Sequence, residues 1–240
     1  MRSGDRRRQT QAVFAVVGLI IFAGCEDDRG KPPPPPSAAS AIASCVTASG
    51  ELIADVNDDG HPDRVSDPSR IGTRFNITFG VGSADEATVG ARALADYTGG
   101  RQEYVIGAAA DFNRDGWTDL VIVAGDEQAD DSPIYPRTAE LRLGPFSNTG
   151  RGQRILPLGL GATSEMSVVD YNHDRYPDLA VYGHVGDGER MASARLCAGA
   201  TALSATGSYD RGTEFESPAR LPNSGLGRFY RRCSASGMTE

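Results

Sequence analysis

Lysine is nearly missing from this 240-residue chain: Lys31 stands alone among 24 basic residues, and the other 23 are arginines. That bias reads as the codon composition of a GC-rich genome rather than as an arginine-built binding surface. With 32 acidic residues, a formal charge of −8 and no basic cluster beyond the first few residues, the chain lacks the face that nucleic-acid binding needs. It also lacks a long apolar run. The uncharged apolar run at residues 12–23 (AVFAVVGLIIFA) would reach only ~18 Å as a helix against the ~30 Å of a hydrocarbon layer. The motifs of common enzymes are missing: there is no H-E-x-x-H, no G-x-S-x-G and no G-x-x-x-x-G-K-[ST]. Only three histidines occur, two of them (His61 and His173) inside acidic turns and His184 just after a strand-like run, so none reads as a catalytic base. Asn76-Ile77-Thr78 fits a glycosylation acceptor but reads as strand, and there is no Arg-Gly-Asp. Disorder throughout is excluded by 39% hydrophobic residues and 29 glycines, an ordinary globular balance. Few aromatics and much glycine favour short strands joined by many loops.

The N-terminus reads as an address. Arg2, Arg6, Arg7 and Arg8 precede the apolar run, the pattern of an export signal over residues 1–24. Its end, Phe22-Ala23-Gly24-Cys25, resembles a bacterial lipobox, which implies a lipidated Cys25 as the mature first residue, although Phe22 stands where leucine is usual; the alternative is an ordinary secretory signal. Glu26, Asp27 and Asp28 follow, then five prolines at 32–36 and SAASAIAS. Residues 25–43 are therefore expected to be an extended, unstructured spacer. Without residues 1–24 the chain has 20 basic and 31 acidic residues, a net charge of −11, which suits solubility outside a cell.

Self-comparison is the strongest signal. DVNDDGHPD begins at Asp55, DFNRDGWTD at Asp111 and DYNHDRYPD at Asp170, at spacings of 56 and 59 residues. The pattern D-x-N-x-D-(G)-x-x-D is thus repeated three times at near-constant intervals. DLVIVAGD at Asp119 aligns with DLAVYGHV at Asp178. Each unit then has a strand-like run ending in glycine: FNITFG at Gly80, AELRLG at Gly144 and ARLCAG at Gly199.

Such a loop has the composition of a hard-cation site. Calcium takes ~6–8 oxygen ligands at ~2.3–2.6 Å from carboxylates, side-chain amides and backbone carbonyls. The first loop offers Asp55, Asn57, Asp59, the carbonyl of His61, and Asp63. The second offers Asp111, Asn113, Asp115, the Trp117 carbonyl and Asp119. The third offers Asp170, Asn172, Asp174, the Tyr176 carbonyl and Asp178. Gly60 and Gly116 at position six permit the left-handed turn. Arg175 replaces that glycine in the third loop, where a Cβ costs about 1 kcal/mol and a nearby guanidinium would compete with a metal. Two calcium sites are expected, with the third weaker or empty. Clustered carboxylates without a cation repel one another. An EF-hand is excluded because its position-twelve glutamate is replaced by Ser66, Ile122 and Val181, and because LIADV, DLVIVAG and DLAVYG read as strands.

These residues, over about 44–209, resemble the FG-GAP/VCBS repeats of integrin α-subunit heads and bacterial surface proteins. The resemblance implies an all-β fold in which each repeat is a four-stranded antiparallel blade of a β-propeller and the acidic loop holds Ca2+ between two of its strands. Three marked repeats imply a propeller-like array of three to four blades, closed or open. The expected organisation is a repeat domain over 44–240, with repeats at 44–100, 101–158 and 159–212 and a closing segment at 213–240. A strand near residues 45–55 is expected to pair with the C-terminal segment if the ring closes. With Cys25 lipidated, three cysteines remain, and Cys233 has either Cys45 or Cys197 as a disulfide partner; buried thiols are the alternative. Trp117 is expected to pack against a neighbouring repeat.

The functional expectation is a non-enzymatic, calcium-binding repeat domain, exported and lipid-anchored at a bacterial cell envelope, or secreted if the lipobox is unused. Its partner is expected to be a surface protein or glycan, with the membrane met only through the N-terminal lipid and nucleic acid excluded. The rivals are an enzyme or enzyme accessory domain on a propeller scaffold, and a purely structural envelope protein.

Overall fold

The structure, a computed structural model, describes residues 42–95, 103–126, 136–161, 163–184, 190–197, 203–212 and 225–234. The expected export signal at 1–24, Cys25 and nearly all of the expected spacer at 25–43 lie outside these residues, as does Gly199. Among the described residues no helix is long and apolar enough to cross a membrane. The described residues are almost entirely β, with their strands in three open sheets, none closed into a barrel.

The strands in chain order are β1 (Cys45–Val46), β2 (Leu52–Ala54), β3 (Asp63–Ser66), β4 (Asn76–Phe79), β5 (Ala87–Gly90), β6 (Glu103–Ala110), β7 (Asp119–Asp126), β8 (Thr138–Leu143) and β9 (Arg154–Pro157). The remaining five are β10 (Thr163–Val169), β11 (Asp178–His184), β12 (Arg190–Cys197), β13 (Leu203–Gly212) and β14 (Arg231–Arg232), and a single helical turn, α1 (Ala91–Leu94), follows β5. Strands β2 to β5, β6 to β9 and β10 to β13 each form a four-stranded antiparallel meander in sequence order. The first sheet carries two more strands: β1 pairs antiparallel with β2, and β14 pairs parallel with β1.

The middle sheet shows why its strands read as unbroken apolar runs. Successive strand residues point to opposite faces, and this sheet buries both. Leu120 and Ile122 of β7 pack into one core with Leu52, Val65, Ile77 and Phe146. Val121 and Val123 pack into the other with Ile106, Leu141, Met166, Leu179 and Val181. The outer strands behave differently: β5 and β9 are largely exposed, and Pro157 sits where an edge strand tolerates proline.

Two features close the open backbone of the inner strands. The connection between β3 and β4 is knotted on Asp67, whose carboxylate accepts from the Ser69 hydroxyl, the Ser69 N–H at 3.2 Å and the Gly72 N–H at 2.7 Å. Its carbonyls then serve the other two sheets: Gly107 N–H of β6 donates to Gly72 O at 3.0 Å, and Met166 N–H of β10 to Ile71 O at 2.9 Å. The first and last described strands also meet. Cys45 and Cys233 form a disulfide across 188 residues, and Cys233 N–H donates to Val46 O at 3.0 Å. Cys197 is buried and takes no part in a disulfide.

Candidate metal centre

Each acidic loop joins the first and second strands of a meander: 55–63 between β2 and β3, 111–119 between β6 and β7, 170–178 between β10 and β11. The three share one backbone. Position four is left-handed in all of them (Asp58 φ 61°, Arg114 φ 64°, His173 φ 63°), and so is position six (Gly60 φ 81°, Gly116 φ 92°, Arg175 φ 71°). Arg175 therefore takes the turn that glycine takes in its counterparts, and the loop survives the added Cβ.

The polar contacts recur in the same way. The position-one carboxylate accepts from the N–H of position six: Gly60 on Asp55 at 3.0 Å, Gly116 on Asp111 at 3.0 Å and Arg175 on Asp170 at 3.2 Å. The asparagine at position three donates its amide to position five at 2.8, 2.7 and 3.1 Å. Position seven, held by His61, Trp117 and Tyr176, donates its N–H to that same aspartate at 2.8, 2.8 and 2.9 Å. The loop thus draws the side chains of positions one, three and five together before any ion is considered.

Position nine has a second task. Asp63, Asp119 and Asp178 are fully buried, and each carboxylate brackets two backbone segments. One oxygen accepts from the loop's second residue (Val56, Phe112 and Tyr171, at 2.8, 2.9 and 2.8 Å). The other accepts from the far end of the meander's third strand or the residue after it: Gly80 at 2.8 Å, Gly144 at 2.9 Å and Cys197 at 2.8 Å. The third-repeat counterpart of Gly80 and Gly144 is therefore Cys197, two residues before Gly199. At Gly144 a Cβ would sit 2.2 Å from the Thr118 carbonyl oxygen, so that position admits only glycine.

Burial dominates the electrostatics. It pushes the Asp63 and Asp111 carboxyls up to about 6 and Asp119 up to about 8, and it raises Asp178, against the lowering effect of the backbone N–H donors. Neighbouring aspartates add to the rise: Asp59 and Asp55 on Asp63, Asp111 and Asp115 on Asp119, Asp174 on Asp178. Among the described residues, Asp170, Asp174 and Asp178 form the one group of three metal-ligating side chains whose donor atoms all lie within 4.8 Å of one another. Two oxygens at ~2.3–2.6 Å from one ion stand at most ~5.2 Å apart, so this donor set fits calcium. The loop marked as weakest by its sequence is thus the one with the closest carboxylates.

A guanidinium does reach the third loop, and it is that of Arg114 from the second loop. Arg114 Nη2 lies 3.3 Å from Asp174 Oδ2, and its guanidinium sits 3.2 Å above the Tyr176 ring. Its Nε donates to Cys197 Sγ at 3.2 Å, and the Cys197 thiol donates to Phe112 O at 3.1 Å. Tyr230, from the C-terminal segment, accepts the Asp111 N–H at 2.9 Å, and burial holds its phenol above the ordinary value. Trp117 is half-buried, and its Cβ lies 3.1 Å from where a Cβ on Gly144 would sit. None of these cross-links is legible in the repeat pattern, save that Cys197 stands at the end of a strand-like run.

Away from the loops, a recess of about 490 Å³ opens where the three sheets approach one another, lined by Glu51, Ser66, Arg70, Phe75, Met166 and Leu226 among others. In comparison with known protein families, residues 111–181, spanning the second and third loops, match the FG-GAP-like repeat. No curated protein and no solved structure matches the chain.

Proposed function

We propose that this FG-GAP-like repeat protein is a calcium-stabilised binding module with a β-propeller-like arrangement of its sheets, exported and held at a bacterial cell surface by lipid on Cys25. Its partner is a surface protein or a glycan, and it catalyses no reaction. The observation that carries the reading is one loop built three times, with the same left-handed positions and the same carboxylate-to-backbone contacts, and with carboxylates that converge on one centre in the third. Calcium would be held by Asp55, Asn57, Asp59 and Asp63 in the first loop and by the corresponding residues of the other two. Its contribution is positive charge where burial and mutual repulsion oppose ionised carboxylates. The loops all join the first and second strands of their meanders, so rigid loops would offer a partner three equivalent surfaces.

Calcium removal tests this. Extracellular calcium modules bind at ~10⁻⁴–10⁻³ M. At a hundredfold excess over Kd, each filled loop adds ~2.7 kcal/mol, and two loops raise Tm by roughly 10–20 °C in a domain of this size. EDTA is expected to lower Tm by that amount and calcium to restore it, while magnesium does so less well; a melt indifferent to both refutes the reading. Incorporation of labelled palmitate, lost in Cys25→Ser, tests the anchor.

A further inference from the structure

We propose that Arg114 is the resident counter-cation of the third acidic loop and sets that loop's selectivity, so that a divalent ion enters there only by displacing the guanidinium and the first two loops fill before it. The inference rests on the reading of the loops as calcium sites. It adds a residue that belongs to none of the third loop's own nine positions.

The second loop aims this side chain. Arg114 stands at position four, where Asp58 and His173 have the same left-handed backbone, so the direction of its Cβ follows from the turn and not from its charge. Its guanidinium is then fixed by two contacts to the third loop, Asp174 Oδ2 at 3.3 Å and the Tyr176 ring at 3.2 Å, and by two to Cys197 at the end of β12, its O at 3.4 Å and its Sγ at 3.2 Å. Asp174 has little capacity left. Its Oδ1 accepts the Tyr176 N–H at 2.9 Å, and its Oδ2 is already shared between Asn172 at 3.1 Å and Arg114. An ion held by Asp170, Asp174 and Asp178 would take up that same oxygen beside a fixed positive charge. Arg114 makes no such contact with a carboxylate of its own loop. Like charges at this separation oppose each other strongly even at an intermediate effective dielectric. Arginine does not escape by losing its proton. A cation–π contact over Tyr176 holds it in place as well.

Calcium titration of the full chain by calorimetry, with the third site defined as the one lost in Asp170→Ala, tests the proposal. Arg114→Gln is expected to tighten that site on the order of tenfold, the usual size of coupling between neighbouring sites, and to leave the other two within about twofold; Arg114→Lys stays near the original. In the unsubstituted protein, the Arg114 Nε–H resonance is expected to move only with the last calcium equivalent, a readout that holds even if the glutamine variant fails to fold. An unchanged third site in a folded Arg114→Gln chain, or a resonance that moves with the first equivalents or stays fixed while all three loops fill, overturns the role of Arg114 alone. Calcium binding at none of the loops overturns the calcium reading and this inference with it.

Discussion

Asp63, Asp119 and Asp178 combine two requirements that conflict without a cation. Each must accept two backbone N–H groups, which favours the ionised carboxylate, and each is buried among other acids, which disfavours it. Burial prevails, with Asp63 and Asp111 raised to about 6 and Asp119 to about 8. A carboxyl whose folded pKa lies above its unfolded value binds its proton more readily when folded. Its stabilising effect is complete below about 4 and is lost as pH rises through 6 to 8. Calcium-free protein in EDTA is therefore expected to melt at a higher temperature at pH 5 than at pH 8. Saturating calcium, which favours the ionised form, should shrink or reverse that difference. Thermal melts across this range with and without calcium check it. The residue types of this site were readable from sequence, because ligand chemistry depends on identity and spacing within nine residues. The bracket from Asp178 to Cys197 and the reach of Arg114 were not, because they depend on which strand ends and which loops the folded sheets place side by side.

Among elements, the inner strand β6 depends on what it lacks. A Cβ on Gly107 would meet the Phe75 ring at 2.6 Å, so glycine lets the aromatic ring lie against the strand while the Gly107 N–H reaches Gly72 O. Gly107→Ala is expected to cost about 1–3 kcal/mol through overpacking, and Phe75→Leu in the same chain to recover part of it; denaturant unfolding measures both. Strands such as β7 and β11 stand out in the sequence, because burial on two faces leaves an unbroken apolar run. ATVG of β5 and RILP of β9 do not, since exposed edges carry no pattern and exist because a neighbour pairs with them. The turn of α1 is too short to leave a periodic signature. The two-residue strand β14 is set by the cysteine that follows it.

In the domain as a whole, the ends are joined twice, by the β1–β14 pairing and by Cys45–Cys233. Cysteine count alone left Cys45 and Cys197 as equal partners for Cys233, since connectivity is a property of the fold and not of spacing. The structure places Cys197 in the core between the second and third loops instead. A cross-link spanning 188 residues restricts the unfolded chain severely, and replacing both cysteines by serine is expected to cost about 2–5 kcal/mol. A reducing agent should lower Tm in the native chain and leave the double variant unchanged.

Because synthesis runs from amino to carboxyl end, the pairing of residues 45–46 with 231–232 also fixes an order of events. The second and third meanders have all their described strands before residue 213, while the first must wait with an unpaired border until residues 231–232 emerge. That border is then sealed by a bond requiring an oxidant. Maturation of this domain is thus timed by its tail: a chain halted before Arg231 retains its central layers but leaves the opening strand as a sticky, unguarded rim.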